Sequence, residues 1–237
     1  RKWKERKRWD TVRAFIREQF ARRARAEGAQ RVVEKTCANT LRLDFVHAVF
    51  PEAIIIHLIR DGRAVTESAR RRWQARPELR YLLEKLRWVP AGDIPYYGLR
   101  YLRYQLGRLN GSHGSAQASW GPRFAGLDRL VAEKELVEVC ALQWQTCVQA
   151  AESAMQRLPP EQTLTVRYED LVSDPVTVAR RVCQHAHLTF TDQCAAFAGE
   201  MIHAGNLQKW RQRLSQEELD LFLPHIETEL RRHGYPV

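Results

Sequence analysis

No two cysteines in this sequence form a CxxC pair. There are five, an odd number: Cys37, Cys140, Cys147, Cys183 and Cys194. This argues against a disulfide framework and against a zinc site of the usual spacing, and it favours a reducing, cytoplasmic setting. No apolar run approaches the roughly 20 residues that span a bilayer, so no transmembrane segment is expected. No secretory leader pattern is present. There is no GxxxxGK[ST] motif, which removes the lysine-containing phosphate loop that a P-loop kinase requires. No internal repeat or low-complexity tract appears, so solenoids and fibrous arrays are set aside. The first residue is Arg1 rather than a methionine, and the expectation is an N-terminally truncated or processed chain.

What is present suits one globular domain over residues 1–237, with 44% hydrophobic residues for a core. The formal net charge is +10, and it is uneven. Residues 1–28 hold eleven Lys and Arg against four Asp and Glu, so +7 of the total sits there. Such a balance favours partners that carry phosphate, sulfate or carboxylate. Nucleic acid is compatible with it but not demanded by it.

The periodicity predicts a long basic helix over 1–27, stopped by Gly28. "RVVEKT" (31–36) reads as a short buried strand. "NTLRLDFVHAVF" (39–50) has helical spacing, with Asn39 as its cap. "AIIIHLI" (53–59) is the clearest strand, too short for a helix and rich in isoleucine. "GRAVTESARRRW" (62–73) reads as a helix. Alternating strands and helices with short connections predict an α/β fold with a mainly parallel sheet flanked by helices. Residues 74–130 break this pattern with prolines, glycines and aromatics, and read as an insertion. Further on come a helix over 131–157, a strand in "QTLTVRYEDL" (162–171), and a helix over 174–186 with Asp174 as cap and Pro175 at its first position. Helices are expected around 191–201, 215–223 and 225–233.

The segment "RDGRAVTESARRRW" (60–73) carries the most specific chemistry. Arg60 stands where a buried strand ends, and ligands of open α/β sheets bind at such ends. Gly62 permits a tight turn into a helix whose N-terminus favours an anion. Ala64 and Ser68 follow Arg60 at spacings of four, on one face. Helical side chains lean toward the N-terminus, so Arg60 and Ser68 can converge on one anion, and Ala64 leaves room for it. The competing reading is a solvated basic helix face. Lys35, at the end of the first strand, is a candidate for neutralising transferred charge. Its competing reading is a surface lysine paired with Glu34. Lys209 and Asn206 lie beside Gly205, which allows close backbone approach. Trp210 reads as a core anchor, His57 as a core histidine, and Cys140 and Cys147 as buried apolar groups.

"FPEAIIIHLIRDGRAVTESARRRW" resembles the segment that binds the 3′-phosphate of 3′-phosphoadenosine 5′-phosphosulfate (PAPS) in sulfotransferases. "VVEKTCANTLRLDFVHAVFP" upstream, "VRYEDLVSDP" (166–175) and "NLQKW" (206–210) fit the same family, in order. The resemblance covers about residues 30–73 and 136–235. It implies a P-loop-NTPase-like sulfotransferase fold, with PAPS as co-substrate and no metal. It also implies 3′-phosphate contacts from Arg60 and Ser68, a C-terminal loop bearing Asn206 and Lys209 over the nucleotide phosphates, and Lys35 as the catalytic residue near the sulfuryl group. The reaction implied is sulfuryl transfer to a hydroxyl or amine of a small-molecule or carbohydrate acceptor, with residues 74–130 on the acceptor side. The sequence departs from the family at Cys37, where many bacterial relatives have proline and cytosolic members have a catalytic histidine. The family's opening Pro-x-x-Gly-Thr/Ser-Thr/Ser loop, which holds the 5′-phosphosulfate, is not found. A basic nucleic-acid- or nucleotide-binding protein without catalysis is the alternative, although nucleic acid is not the expected partner.

Overall fold

The computed structural model describes residues 2–75, 99, 120–202 and 207–237, with side chains from Trp9 onward. The chain packs as two compact units, one of residues 1–59 and 147–204, the other of residues 60–146 and 205–237. Among the described residues no helix is long and apolar enough to cross a membrane.

The first unit opens with α1 (Lys2–Ala26). Gly28 ends it with φ of 60°, a left-handed conformation that glycine adopts without cost. Trp9 meets Phe45 edge-on at 5.6 Å, and Phe20 meets Phe50 at 4.8 Å. Arg17 donates to the Glu52 carboxylate at 2.7 and 3.1 Å and to the Val49 carbonyl at 2.9 Å. These contacts hold α1 against the turn that follows α2 (Leu43–Val49). Strand β1 (Ile55–Ile59) then pairs in parallel with β2 (Thr163–Arg167), with Ile55 opposite Thr163 and Ile59 opposite Arg167. A small core of Leu43, Ala151 and Ala154 lies with Ile55 and Met155. Helix α3 (Gly62–Gln74) follows β1 in the chain and belongs to the other unit, and after β2 come α6 (Tyr168–Ser173), α7 (Pro175–His185) and α8 (Asp192–Met201). Asp174 accepts the Thr177 amide at 3.1 Å with Pro175 in the first turn, and Thr191 accepts the Cys194 amide at 3.2 Å. Side-chain oxygens thus satisfy amides that the helix itself cannot.

Two expectations fail in this unit. Residues 31–36 form no strand, and Val32 and Val33 are exposed. A strand exists only by pairing, and among the described residues the sheet consists of β1 and β2. The Arg31 side chain instead donates to the Ala186 carbonyl at 2.9 Å. Asn39 is not a helix cap. It lies inside a 3₁₀ segment, Cys37–Arg42, donates to the Glu34 carboxylate and accepts from Arg42 Nε at 3.0 Å.

Among its described residues the second unit is helical: α3, α4 (Leu127–Glu133), residues 136–146 of α5 (Leu136–Met155), α9 (Trp210–Arg213) and α10 (Gln216–Arg232). The helix expected over 131–157 is therefore two, interrupted near Lys134 and Glu135. The two helices expected over 215–233 are one. Pro224 sits inside it on the exposed face, where solvent can serve the carbonyl it leaves unpaired, while Phe222, Ile226 and Leu230 bury the other face. Ala69, Trp73, Leu127, Val139 and Cys140 form a further core cluster. Most of the expected insertion, residues 76–98 and 100–119, lies outside the described residues. At its C-terminal margin Gln143 donates to the carbonyls of Trp120 and Pro122, at 3.0 and 2.7 Å, holding the turn at Gly121.

Gly62 starts α3 under close constraint. A Cβ there would lie 2.9 Å from the Trp144 ring and 3.0 Å from Ile226 Cδ1. The Trp144 ring is held by its own Nε1–H, which donates to the Arg60 carbonyl at 3.2 Å. Gly62→Ala is expected to destabilise this unit by about 1–3 kcal/mol, the usual cost of overpacking. Alanine's better helix propensity, worth up to about 1 kcal/mol, offsets only part of that. Urea denaturation measures the difference, and an unchanged or raised midpoint would contradict the packing argument.

Candidate functional site

A candidate cleft lies wholly within the second unit. One wall is a single face of α3 and the residue before it: Arg60, Ala64, Glu67, Ser68 and Arg71. The spacing follows from the helical period, which returns every third or fourth residue to the same side. The opposite wall is the segment entering and forming α9, with Lys209, Trp210 and Arg213.

The start of α3 is fixed by Asp61. Its carboxylate accepts the Arg63 amide at 2.9 Å and grips the Arg63 guanidinium at 3.0 and 2.8 Å. Both residues are buried. The guanidinium of Arg63 also lies over the Trp210 ring, 4.4 Å from its centroid, and Arg211 lies 4.7 Å from the same ring. Cation–π stacking of this kind binds the Trp210 segment to the helix start. Trp210 is buried, in keeping with an anchor. Arg63 is therefore a structural arginine, although the sequence sets it beside Arg60 in one motif.

The cleft is strongly positive. Arg60, Arg71, Lys209 and Arg213 bring four positive charges against one negative charge, on Glu67. Arg60 and Ser68 are half-buried and Lys209 is exposed. These three sequence candidates line the same cleft. Asn206 lies outside the described residues. Lys35 belongs to the other unit, where it is exposed on the irregular stretch 31–36. Its neighbour Glu34 accepts from Asn39, so the Lys35–Glu34 pair considered from sequence is not what engages that carboxylate.

Sequence reasoning missed Glu67, Arg71 and Arg213. Glu67 is buried, 4% exposed, and meets Arg71 Nε at 2.6 Å and Arg213 Nη1 at 3.2 Å. The i, i+4 spacing of Glu67 and Arg71 was a readable signal. The link to Arg213 crosses most of the chain and left none. Cys140 and Cys147 are not activated for this chemistry. Burial pushes the Cys140 thiol up to about 12, Arg70 offsetting only part of it, and raises Cys147 as well. Neither thiol is placed to act as a nucleophile near neutral pH.

Taken chemically, an arginine fork, a hydroxyl and further cations around a narrow cleft suit a phosphate or sulfate group. A model of the sulfotransferase family matches residues 4–94 and 121–192. The matched stretches include β1, the Arg60–Ser68 motif with Glu67 and Arg71, and β2, and they stop before the segment bearing Lys209 and Arg213. No curated protein matches the chain.

Proposed function

We propose that this chain, which belongs to the sulfotransferase family, uses PAPS as donor and transfers its sulfuryl group to a hydroxyl or amine of a small-molecule or carbohydrate acceptor. Family membership carries sulfuryl transfer in general. The donor and acceptor classes are the proposal. The observation that supports it is the lining of one cleft by Arg60, Ser68 and Lys209. In this reading Arg60 and Ser68 take the nucleotide 3′-phosphate, and Lys209 and Asn206 lie over the phosphates. Lys35 acts at the sulfuryl group. The acceptor oxygen or nitrogen attacks sulfur in line as the bond from sulfur to the 5′-phosphate breaks, leaving adenosine 3′,5′-bisphosphate. Positioning and positive charge dominate such a loose transfer, as they do in phosphoryl transfer. The reading carries with it a P-loop-like topology around the sheet.

The nucleic-acid alternative draws on the basic α1. Four of its arginines already have acidic partners: Arg13 with Asp10, Arg17 with Glu52, Arg23 with Glu27 and Arg25 with Glu18. That reduces the positive field that a polyanion would meet. Thermal denaturation with adenosine 3′,5′-bisphosphate and with adenosine 5′-monophosphate separates the two readings. The bisphosphate is expected to raise Tm more, since saturation at 100 times Kd stabilises by about 2.7 kcal/mol. Equal shifts from both nucleotides would defeat the 3′-phosphate assignment. Binding of random oligonucleotides with steep salt dependence would favour the alternative.

A further inference from the structure

Glu67 poses a problem for the cleft as drawn. A carboxylate inside an anion site repels the ligand, and burying one is costly unless it is paired. Here it is buried and paired twice, and both partners use the same oxygen. Arg71 Nε and Arg213 Nη1 meet Glu67 Oε1 at 2.6 and 3.2 Å. The two arginines come from different elements, α3 and α9, and their side chains are 55% and 39% exposed. A guanidinium has five N–H donors. Each of these guanidinia therefore keeps donors beyond its contact with Glu67, and each lines the cleft.

Arg213 is fixed by its main chain too. Its carbonyl accepts from Arg70 Nη2 at 3.0 Å, and Arg70 is paired with Glu218. The backbone at residue 213 is thus held to α3 by one arginine, while the side chain is held by Glu67. A long side chain gripped at both ends is aimed. Left alone, it would lose rotamer freedom on meeting a ligand.

We infer that Arg213 is an anion-binding residue of this cleft, reaching the same nucleotide phosphate as Arg60 and Ser68, and that Glu67 is the positioning residue that holds Arg213 and Arg71 for it. The inference rests on the nucleotide reading given above. With Glu67 counted, the cleft residues sum to +3, enough to meet a phosphate monoester dianion and remain attractive.

Glu67→Gln decides the matter by sign. If Glu67 acts only as a negative charge in an anion site, its neutralisation tightens adenosine 3′,5′-bisphosphate binding. If it positions the arginines, neutralisation weakens binding, by about tenfold for the loss of charge-assisted contacts. Titration calorimetry on the full chain reads the affinity. Arg213→Ala is expected to weaken the bisphosphate by a similar factor, with little change for adenosine 5′-monophosphate. The double variant is expected to lose little more than either single one, because coupled residues are not additive. Arg213→Lys is expected to recover only part of the loss, since an ammonium lacks the fork. Should Glu67→Gln not fold, as its melting curve without nucleotide would reveal, the Arg213 variants carry the test alone. Tighter or unchanged binding in Glu67→Gln, or full affinity in Arg213→Ala, overturns the inference and leaves the assignment of Arg60 and Ser68 standing. If the wild-type chain itself does not prefer the bisphosphate, both fall together.

Discussion

Arg60→Ala is expected to lower the affinity for adenosine 3′,5′-bisphosphate about 100-fold while scarcely changing that for adenosine 5′-monophosphate. A hydrogen bond to a charged group contributes about 1.5–3 kcal/mol, and a guanidinium fork on phosphate falls at the upper end. About 2.7 kcal/mol corresponds to the factor of 100. The main-chain contact of Arg60 survives the substitution. Its carbonyl still accepts from Trp144 Nε1, 3.2 Å away. Ser68→Ala removes a neutral hydroxyl and should cost less, about 1 kcal/mol. Calorimetry on the two variants ranks the contributions. A larger loss at Ser68 than at Arg60 would reverse the assignment of the principal anion contact.

Replacing Glu138 should produce the largest effect on stability. Its carboxylate is buried and accepts from Lys134 Nζ at 2.7 Å and from the Glu135 amide at 3.2 Å, with His225 Nε2 at 3.0 Å. Burial by itself would raise its pKa. The contacts with Lys134, His225 and the Glu135 amide outweigh burial and hold the group below the ordinary carboxylate range. Glu138→Ala leaves a lysine and a histidine, each about a third exposed, without their shared partner, and a loss of about 1.5–3 kcal/mol follows from removing hydrogen bonds to a charged group. The sign of the pH dependence follows from the lowered pKa. The stabilisation is fully present above the ordinary carboxylate pKa and disappears as pH falls through the lower folded value. Wild-type unfolding free energy should therefore decline on acidification through that window. Glu138→Gln should flatten that part of the profile. Urea titrations from neutral pH down to about pH 3 measure both curves, and parallel slopes would show that Glu138 is not the group responsible.

Elements were legible where local pattern and tertiary need agree. "AIIIHLI" gives β1 because a short isoleucine-rich run between turn residues has few other outlets, and Gly62 marks where the chain must turn tightly into α3. The cap and proline at Asp174 and Pro175 set the start of α7 for the same local reason. Residues 31–36 misled because their valines carry strand propensity without a neighbour to pair with. Pro224 misled because a proline on a solvent-facing helix side costs less than its general reputation suggests. The candidate site was half legible. Arg60 and Ser68 share a face by simple spacing, so the sequence alone puts them together. Arg70, Arg71 and Arg72 look alike in the sequence, yet the first is tied to Glu218 and the Arg213 carbonyl and the second to Glu67, while the third is exposed. The partners of Arg70 lie in another part of the chain and no local rule assigns them, whereas the Glu67–Arg71 pair follows the i, i+4 spacing.

One carboxylate near the end of the chain has a wider reach than its position suggests. Glu218 completes the capping box of α10: Oε2 accepts the Ser215 amide at 3.0 Å, while Ser215 Oγ accepts the Glu218 amide at 3.1 Å. Its other oxygen meets Arg70 of α3. The two oxygens thus join a local event, the winding of a first helical turn, to a tertiary one. Residues 213–215 have little freedom to wander before a nucleotide arrives, because moving them means unwinding the helix behind them. Much of the ordering entropy of that wall is settled during folding instead of at the moment of association. A cleft built this way presents its anion contacts as a standing surface, with less of the binding free energy lost to arranging the chain.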